Sequence, residues 1–147
     1  MDSLRIDNGI KKIEVNDAGE CIEFSINDDK FLTSFWAFGE WLEEQEKAVK
    51  ELQNKNKEAD ANNEEEDHKA TGEVIALRSK INNESCERID SIFGTGASRK
   101  LFGSVIPDLY MVVDFLDKIT PFIEKYAKEH KKAIDSRYNK NRRGAKS

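Results

Sequence analysis

Residues 21–52 read CIEFSINDDKFLTSFWAFGEWLEEQEKAVKEL, and the hydrophobic period changes within this one stretch. From Cys21 to Ile26, Ile22, Phe24 and Ile26 fall on one face and charged or polar residues on the other. That alternation predicts a strand. Asn27-Asp28-Asp29 ends it and offers side chains that can cap a helix. The apolar positions then become Phe31, Phe35, Phe38, Leu42, Val49 and Leu52, with Gln45 in the one polar slot. Their spacing, alternately four and three, predicts a helix to about Lys55. Trp36 and Trp41 sit beside the stripe and widen its first half.

Upstream, Leu4 and Ile6, then Ile13 and Val15, alternate with charged neighbours, and Asn8-Gly9 and Asp17-Ala18-Gly19 are turn signals. The expectation is an antiparallel meander of two or three strands that needs a helix against its apolar face. Downstream, residues 56–72 hold no large apolar side chain and include Asn62-Asn63-Glu64-Glu65-Glu66-Asp67. They read as a polar acidic insert, a flexible linker or solvated tip between antiparallel helices, with a continuous charged helix as the alternative. A second helix follows from about Glu73 to Ile92, faced by Val74, Leu77, Ile81, Ile89 and Ile92. Phe93-Gly94-Thr95-Gly96 breaks it, Ser98 can cap a short turn, and Gly103 ends that turn. A third helix starts near Asp108, with Leu109, Val112, Leu116, Ile119, Ile123, Tyr126 and His130 on its seam. Pro107 suits its start, whereas Pro121 should kink or split it after Ile119.

The fold class expected is α+β, mostly α: a small N-terminal antiparallel β-meander packed on a three-helix bundle. Residues 1–137 form a single domain and 138–147 a basic flexible tail. The length of 147 residues supports one core. Charged residues make up 36%, against about 25% in an average globular protein. No stretch approaches the roughly 18 apolar residues of a membrane helix. Met1-Asp2-Ser3-Leu4-Arg5 has no basic segment before an apolar run, so no signal peptide is expected. Cys21 and Cys86 form no CxxC pair, which points to a reducing cytoplasm with both thiols buried as small hydrophobes. The net charge of -5 hides an asymmetry. Glu40–Asp67 has 11 acidic and 4 basic residues, whereas Lys125–Ser147 has 9 basic and 2 acidic ones. Such blocks act through solvation or partners.

Candidate chemistry is sparse, and neither catalysis nor a cofactor is expected. Gly94-Thr95-Gly96-Ala97-Ser98-Arg99-Lys100 lacks the glycine-lysine adjacency of a phosphate loop. It reads better as a helix-to-helix turn that uses glycine for positive φ, anchored by Phe93 and Phe102. His68 lies in the acidic insert and His130 on the third helix, and no metal-ligand spacing joins them. The tail residues Arg137, Lys140, Arg142 and Arg143 could meet nucleic-acid phosphates, although Tyr138 alone is thin evidence for stacking. Trp36 and Trp41 suggest that some aromatic surface stays open for a partner.

Ile92-Phe93-Gly94-Thr95-Gly96-Ala97-Ser98-Arg99-Lys100-Leu101-Phe102-Gly103, one amphipathic helix, and Arg137-Tyr138-Asn139-Lys140-Asn141-Arg142-Arg143 follow one another. Together they resemble the small tail assembly chaperones of phages and prophages of Gram-positive bacteria, which tend to show an FGxGxxxxLFG-like turn, a helix and a closing RYxxNRxxRR-like tail. The resemblance covers residues 90–147, and residues 1–60 in layout. It implies a non-catalytic protein of the host cytoplasm, not secreted, that coats the tape measure protein, presents it to tail tube subunits and is absent from the finished particle. The implied partners are the tape measure protein and, secondarily, the tail tube protein, with no membrane. Heptad-like spacing also admits a homo-oligomer. The resemblance brings no residue-level site. The contact candidates are therefore the aromatics of the stripes, Phe35, Trp36, Phe38, Trp41, Phe93 and Phe102. A small nucleic-acid-binding or regulatory phage protein and a permanent virion component are the alternatives.

Overall fold

The change of period at Asn27 is the corner of the fold. The structure, a computed structural model, describes residues 1–58 and 64–146, with side chains described for 1–57 and 68–139. Strands β1 (Ile10–Glu14) and β2 (Cys21–Ser25) precede helices α1 (Asp29–Glu58), α2 (Glu64–Phe93), α3 (Ala97–Phe102) and α4 (Leu109–Lys146). The strands pair antiparallel, with Ile13 opposite Ile22 and Lys11 opposite Phe24. Asp28 caps α1 by accepting from the Lys30 N–H at 3.0 Å, and Asp108 caps α4 through the Met111 N–H at 2.8 Å. The protein is thus α+β and mostly α, a β-hairpin packed on a helical bundle.

The core gathers at one end of the molecule. Ile22, Phe24 and Ile26 meet the first half of α1, the last turns of α2, Ala97 of α3, and Val112, Phe115, Ile119 and Ile123 of α4. Farther along the α1–α2 pair, Val49 and Ile81 are also buried. There Asn56 Nδ2 donates to the Ala70 carbonyl at 3.2 Å and ties the two helices together.

The structure departs from the sequence reading at five places. Leu4 and Ile6 form no strand and stand 82% and 77% exposed. Hydrogen bonds from Asn27 Nδ2 to the Asp7 carbonyl and from Ser25 Oγ to the Asn8 carbonyl hold Asp7 and Asn8 beside the end of β2, and Leu4 and Ile6 precede this contact. The described part of the insert at 56–72 follows the helical alternative and not the flexible linker, because α1 runs to Glu58 and α2 begins at Glu64; its centre, residues 59–63, lies outside the described residues. Glu, Lys and Ala are strong helix formers, and the propensity of Lys57, Glu58, Glu64, Glu65, Glu66, Lys69 and Ala70 outweighs the lack of apolar positions. α4 is not split after Ile119 but runs on through Pro121. Pro121 and Asp117 are both exposed, so the carbonyl that loses its intrahelical donor can turn to water. α4 also runs on to Lys146, where composition predicts a flexible tail from Tyr138; no proline follows 121 to stop it. Ser98 lies inside α3 and caps nothing. Its N–H instead donates to Asp90 Oδ1 of α2 at 2.8 Å, locking the two helices at their junction.

Candidate interaction site

The six aromatics singled out in the sequence divide by burial. Phe35, Phe38 and Phe93 belong to the core, which corrects their reading as partner contacts. Phe93 lies at the meeting point, its ring centroid 5.5 Å from Phe31, 5.5 Å from Phe115, 6.2 Å from Phe24 and 6.3 Å from Phe35. Phe102 is half-buried and meets Phe115 edge-on at 6.4 Å. Trp41 is half-buried, stacked on Phe38 at 6.0 Å and covered by the Arg88 guanidinium at 4.3 Å. That guanidinium also pairs with Glu84 at 3.2 Å, one turn earlier on α2. Only Trp36 presents a large free face. It is 48% exposed and stands edge-on to Phe35 at 5.3 Å.

Trp36 opens onto a groove between α1 and α4. Its lower part, about 280 Å³, has Trp36, Gly39 and Leu42 on one wall and Leu116 and Thr120 on the other. Four carboxylates, Glu40, Glu43, Glu46 and Asp117, line this part, and among the described residues no basic side chain does. Glu46 and Val113 continue into an upper part of about 500 Å³, floored by Val49 and Asn82 and walled by Leu109. Lys50 and Arg78 balance Glu46 and Asp108 there. Asn82 lines this part, and its Oδ1 is buried with no hydrogen-bond partner among the described residues. Gly39 is the other anomaly. It lies inside α1, where glycine costs about 1 kcal/mol relative to alanine, and a Cβ added there would meet nothing within 4 Å. The fold itself does not require glycine at this position. Gly72 in α2 is equally open but lies among exposed residues of the α1–α2 arm.

The second candidate surface is the far half of α4. Beyond Tyr126, whose ring lies 6.3 Å from Phe24, no α4 side chain is buried among the described residues. His130 is half-buried, while Ile134, Arg137 and Tyr138 are exposed. Lys140, Arg142 and Arg143 have side chains outside the described residues.

The glycine-rich turn is structural. Gly94 and Gly96 hold φ of 107° and 87°, values that side-chain-bearing residues rarely adopt. Lys100, the residue a phosphate loop would direct at its ligand, donates from Nζ to the Cys21 carbonyl at 3.1 Å, and its own carbonyl accepts from Asn16 Nδ2. Both thiols are free and half-buried, where the sequence reading has them buried. Burial raises the Cys86 pKa, and the nearby Asp90 and Glu87 carboxylates add to the rise against a hydrogen bond with Ser98. Raising a thiol pKa lowers the thiolate fraction at neutral pH, so iodoacetamide should alkylate Cys86 at pH 7.5 several-fold more slowly than free cysteine. The rate should climb toward the free value only as the pH passes that of an ordinary thiol, as mass spectrometry of the Cys86 peptide would show. Equal rates at pH 7.5 would contradict the burial assigned to it. Among the described residues, no three His, Cys, Asp or Glu side chains gather as a metal site, and no helix is long and apolar enough to cross a membrane.

A family described as "Family of unknown function (DUF6673)" matches residues 18–147. The chain belongs to this family. The match takes in the groove, the glycine-rich turn and all of α4, and leaves β1 outside. No curated protein and no solved structure matches the chain.

The groove had a partial signal in the sequence. Trp36 beside an apolar stripe marks its lower end. Leu109 and Leu116 of the α4 wall lie on the seam read from the sequence, but neither that seam nor Asn82 marks a groove, because a groove between helices depends on how the elements cross.

Proposed function

We propose that this DUF6673 protein is a non-catalytic assembly chaperone that binds the tape measure protein during phage tail assembly in the host cytoplasm. The single observation that carries the reading is the α1–α4 groove with Trp36 at its mouth. Its walls set apolar side chains such as Leu42, Val49, Leu109 and Leu116 among charged ones, and the exposed tryptophan beside it is a residue type that often anchors protein interfaces. A tape measure is a long helical chain with apolar seams, and helix-in-groove contact is the means by which such seams are covered. The resemblance of the Phe93–Gly103 turn and the Arg137–Arg143 segment to tail assembly chaperones supplies the identity of the partner.

The test is co-expression with the tape measure protein encoded alongside it, followed by affinity capture. The tape measure should be recovered soluble only when the chaperone is present, with several copies bound per chain. Trp36→Ala should lower that recovery about ten-fold, as expected of a hot-spot residue, with its thermal midpoint within about 2 °C of wild type, because Trp36 lies outside the core. A tape measure that precipitates equally with or without the protein would end this reading.

The basic far half of α4, with Arg137 and Tyr138 exposed, favours nucleic-acid binding as the second reading. It calls for salt-sensitive binding of DNA or RNA that disappears when residues 137–147 are removed.

A further inference from the structure

From the charge and relief of the α1–α4 groove, we infer that its occupant is an amphipathic helix of a partner protein whose apolar seam is flanked by lysine or arginine, seated with its backbone against Gly39. This rests on reading the groove as the site of partner binding. Three features of the groove lead to it. On α1 the wall steps through Trp36, Gly39, Glu43, Glu46, Lys50 and Gln53, which lie within one helical face. At 1.5 Å per residue this wall is about 25 Å long, enough for about 17 residues of a docked helix.

The second feature is charge. The half beside Trp36 carries four carboxylates and, among the described residues, no cation, so an acidic or neutral helix would leave them unpaired on docking, and a basic flank would neutralise them. The upper half is balanced by Lys50 and Arg78, so the basic residues belong on the part of the partner that lies over Trp36–Glu46.

The third feature is Gly39. An interior helical glycine with open space above it is unfavourable for this chain alone, yet it lets another backbone approach closely. It stands three residues from Trp36, so the close approach and the aromatic anchor share one helical turn.

The chain's own α4 end matches this chemistry only in charge. Between residues 127 and 139 its large apolar side chains are Ile134 and Tyr138, too few to fill a groove of this length.

The experiment uses the full-length protein and two fluorescein-labelled peptides of about 18 residues. Both carry leucine along one helical seam, one with lysine flanks and the other with glutamate flanks, and binding is read by anisotropy. The lysine peptide should bind at least ten-fold tighter than the glutamate peptide. Gly39→Leu should weaken it at least ten-fold with the fold intact by circular dichroism, and Gly39→Ala should raise the thermal midpoint by about 2–4 °C while weakening binding. The triple variant E40K/E43K/D117K should reverse the preference between the peptides. E124K/E129K/D135K, which alters exposed carboxylates of α4 that do not line the groove, should leave it unchanged. Equal affinity for the two peptides, or binding indifferent to Gly39→Leu, would overturn the inference. So would self-association of the protein, seen by sedimentation, that the lysine peptide disrupts and E40K/E43K/D117K abolishes, since a second copy would then be the occupant. The two readings fail separately. If Gly39→Leu still solubilises the tape measure, the groove assignment falls and the chaperone stands. If the tape measure is never bound but the lysine peptide still depends on Gly39, the chaperone falls and the groove stands.

Discussion

Phe93→Ala should cost the protein about 3–5 kcal/mol of stability, the range seen when a buried aromatic is truncated and the surroundings cannot close on the space. Phe93 ends α2, and its ring lies against residues from β2, α1 and α4: Phe24, Phe31, Phe35 and Phe115. All four contacts are edge-to-face, a geometry that adds to simple burial. No neighbouring element can move in to fill the gap without leaving another of these rings. Domains of this kind have about 5–15 kcal/mol in total, so the variant should have a much lower guanidinium midpoint by circular dichroism. If the midpoint hardly moves, Phe93 is not the keystone described. The result also bears on binding studies: partner binding lost in Phe93→Ala reports lost fold, whereas binding lost in Trp36→Ala reports a lost contact.

Pro121→Ala should act in the opposite direction. A proline inside a helix removes the hydrogen bond to the residue four before it and crowds that carbonyl, at about 3 kcal/mol in a standard helix. Here the carbonyl belongs to Asp117, on the exposed side of α4, where water relieves part of the loss. The expected gain is therefore smaller, about 1–3 kcal/mol, or about 2–4 °C in thermal midpoint for each kcal/mol. The opposite outcome has a specific meaning. Val112, Phe115 and Ile119 precede the proline and pack on the helices, whereas Ile123 and Tyr126 follow it, and Tyr126 reaches Phe24 of the hairpin. If alanine destabilises the protein, the local helix geometry that Pro121 imposes is what brings the later residues onto the sheet.

The elements of the fold were legible wherever period and punctuation agreed. The strand at 21–25, the α1 stripe and the Asp28 cap were all readable because each rests on contacts within a few residues. The misses are equally physical. Phe115 belongs to the core although the sequence seam runs through Leu109 and Leu116, because on an amphipathic helix a stripe offset by one position satisfies the same spacing. Ser85 is fully buried between Ile81 and Ile89, with its hydroxyl donating to the Ile81 carbonyl at 2.8 Å. A polar residue satisfied by its own helix fills a core position there, which is why the α2 seam looked interrupted. Of the candidate surface, Trp36 was visible in advance. Whether Phe35, Phe38 and Phe93 faced inward or outward was not, since the side of a stripe that meets the core is set by distant elements.

The extended pairing of α1 with α2 also bears on how the chain finds its structure. The core brings residues 22–42 against residues 89–123, so a molecule built mostly of helices depends on contacts far apart in sequence. Such topologies fold more slowly than bundles held by local contacts. The charged helical hairpin changes that calculation. Once α1 and α2 begin to zip near the Asn56–Ala70 hydrogen bond, each further turn brings Phe31 and Phe93 nearer and shortens the loop left to close. On this account the least apolar part of the molecule sets the rate at which its most apolar part assembles.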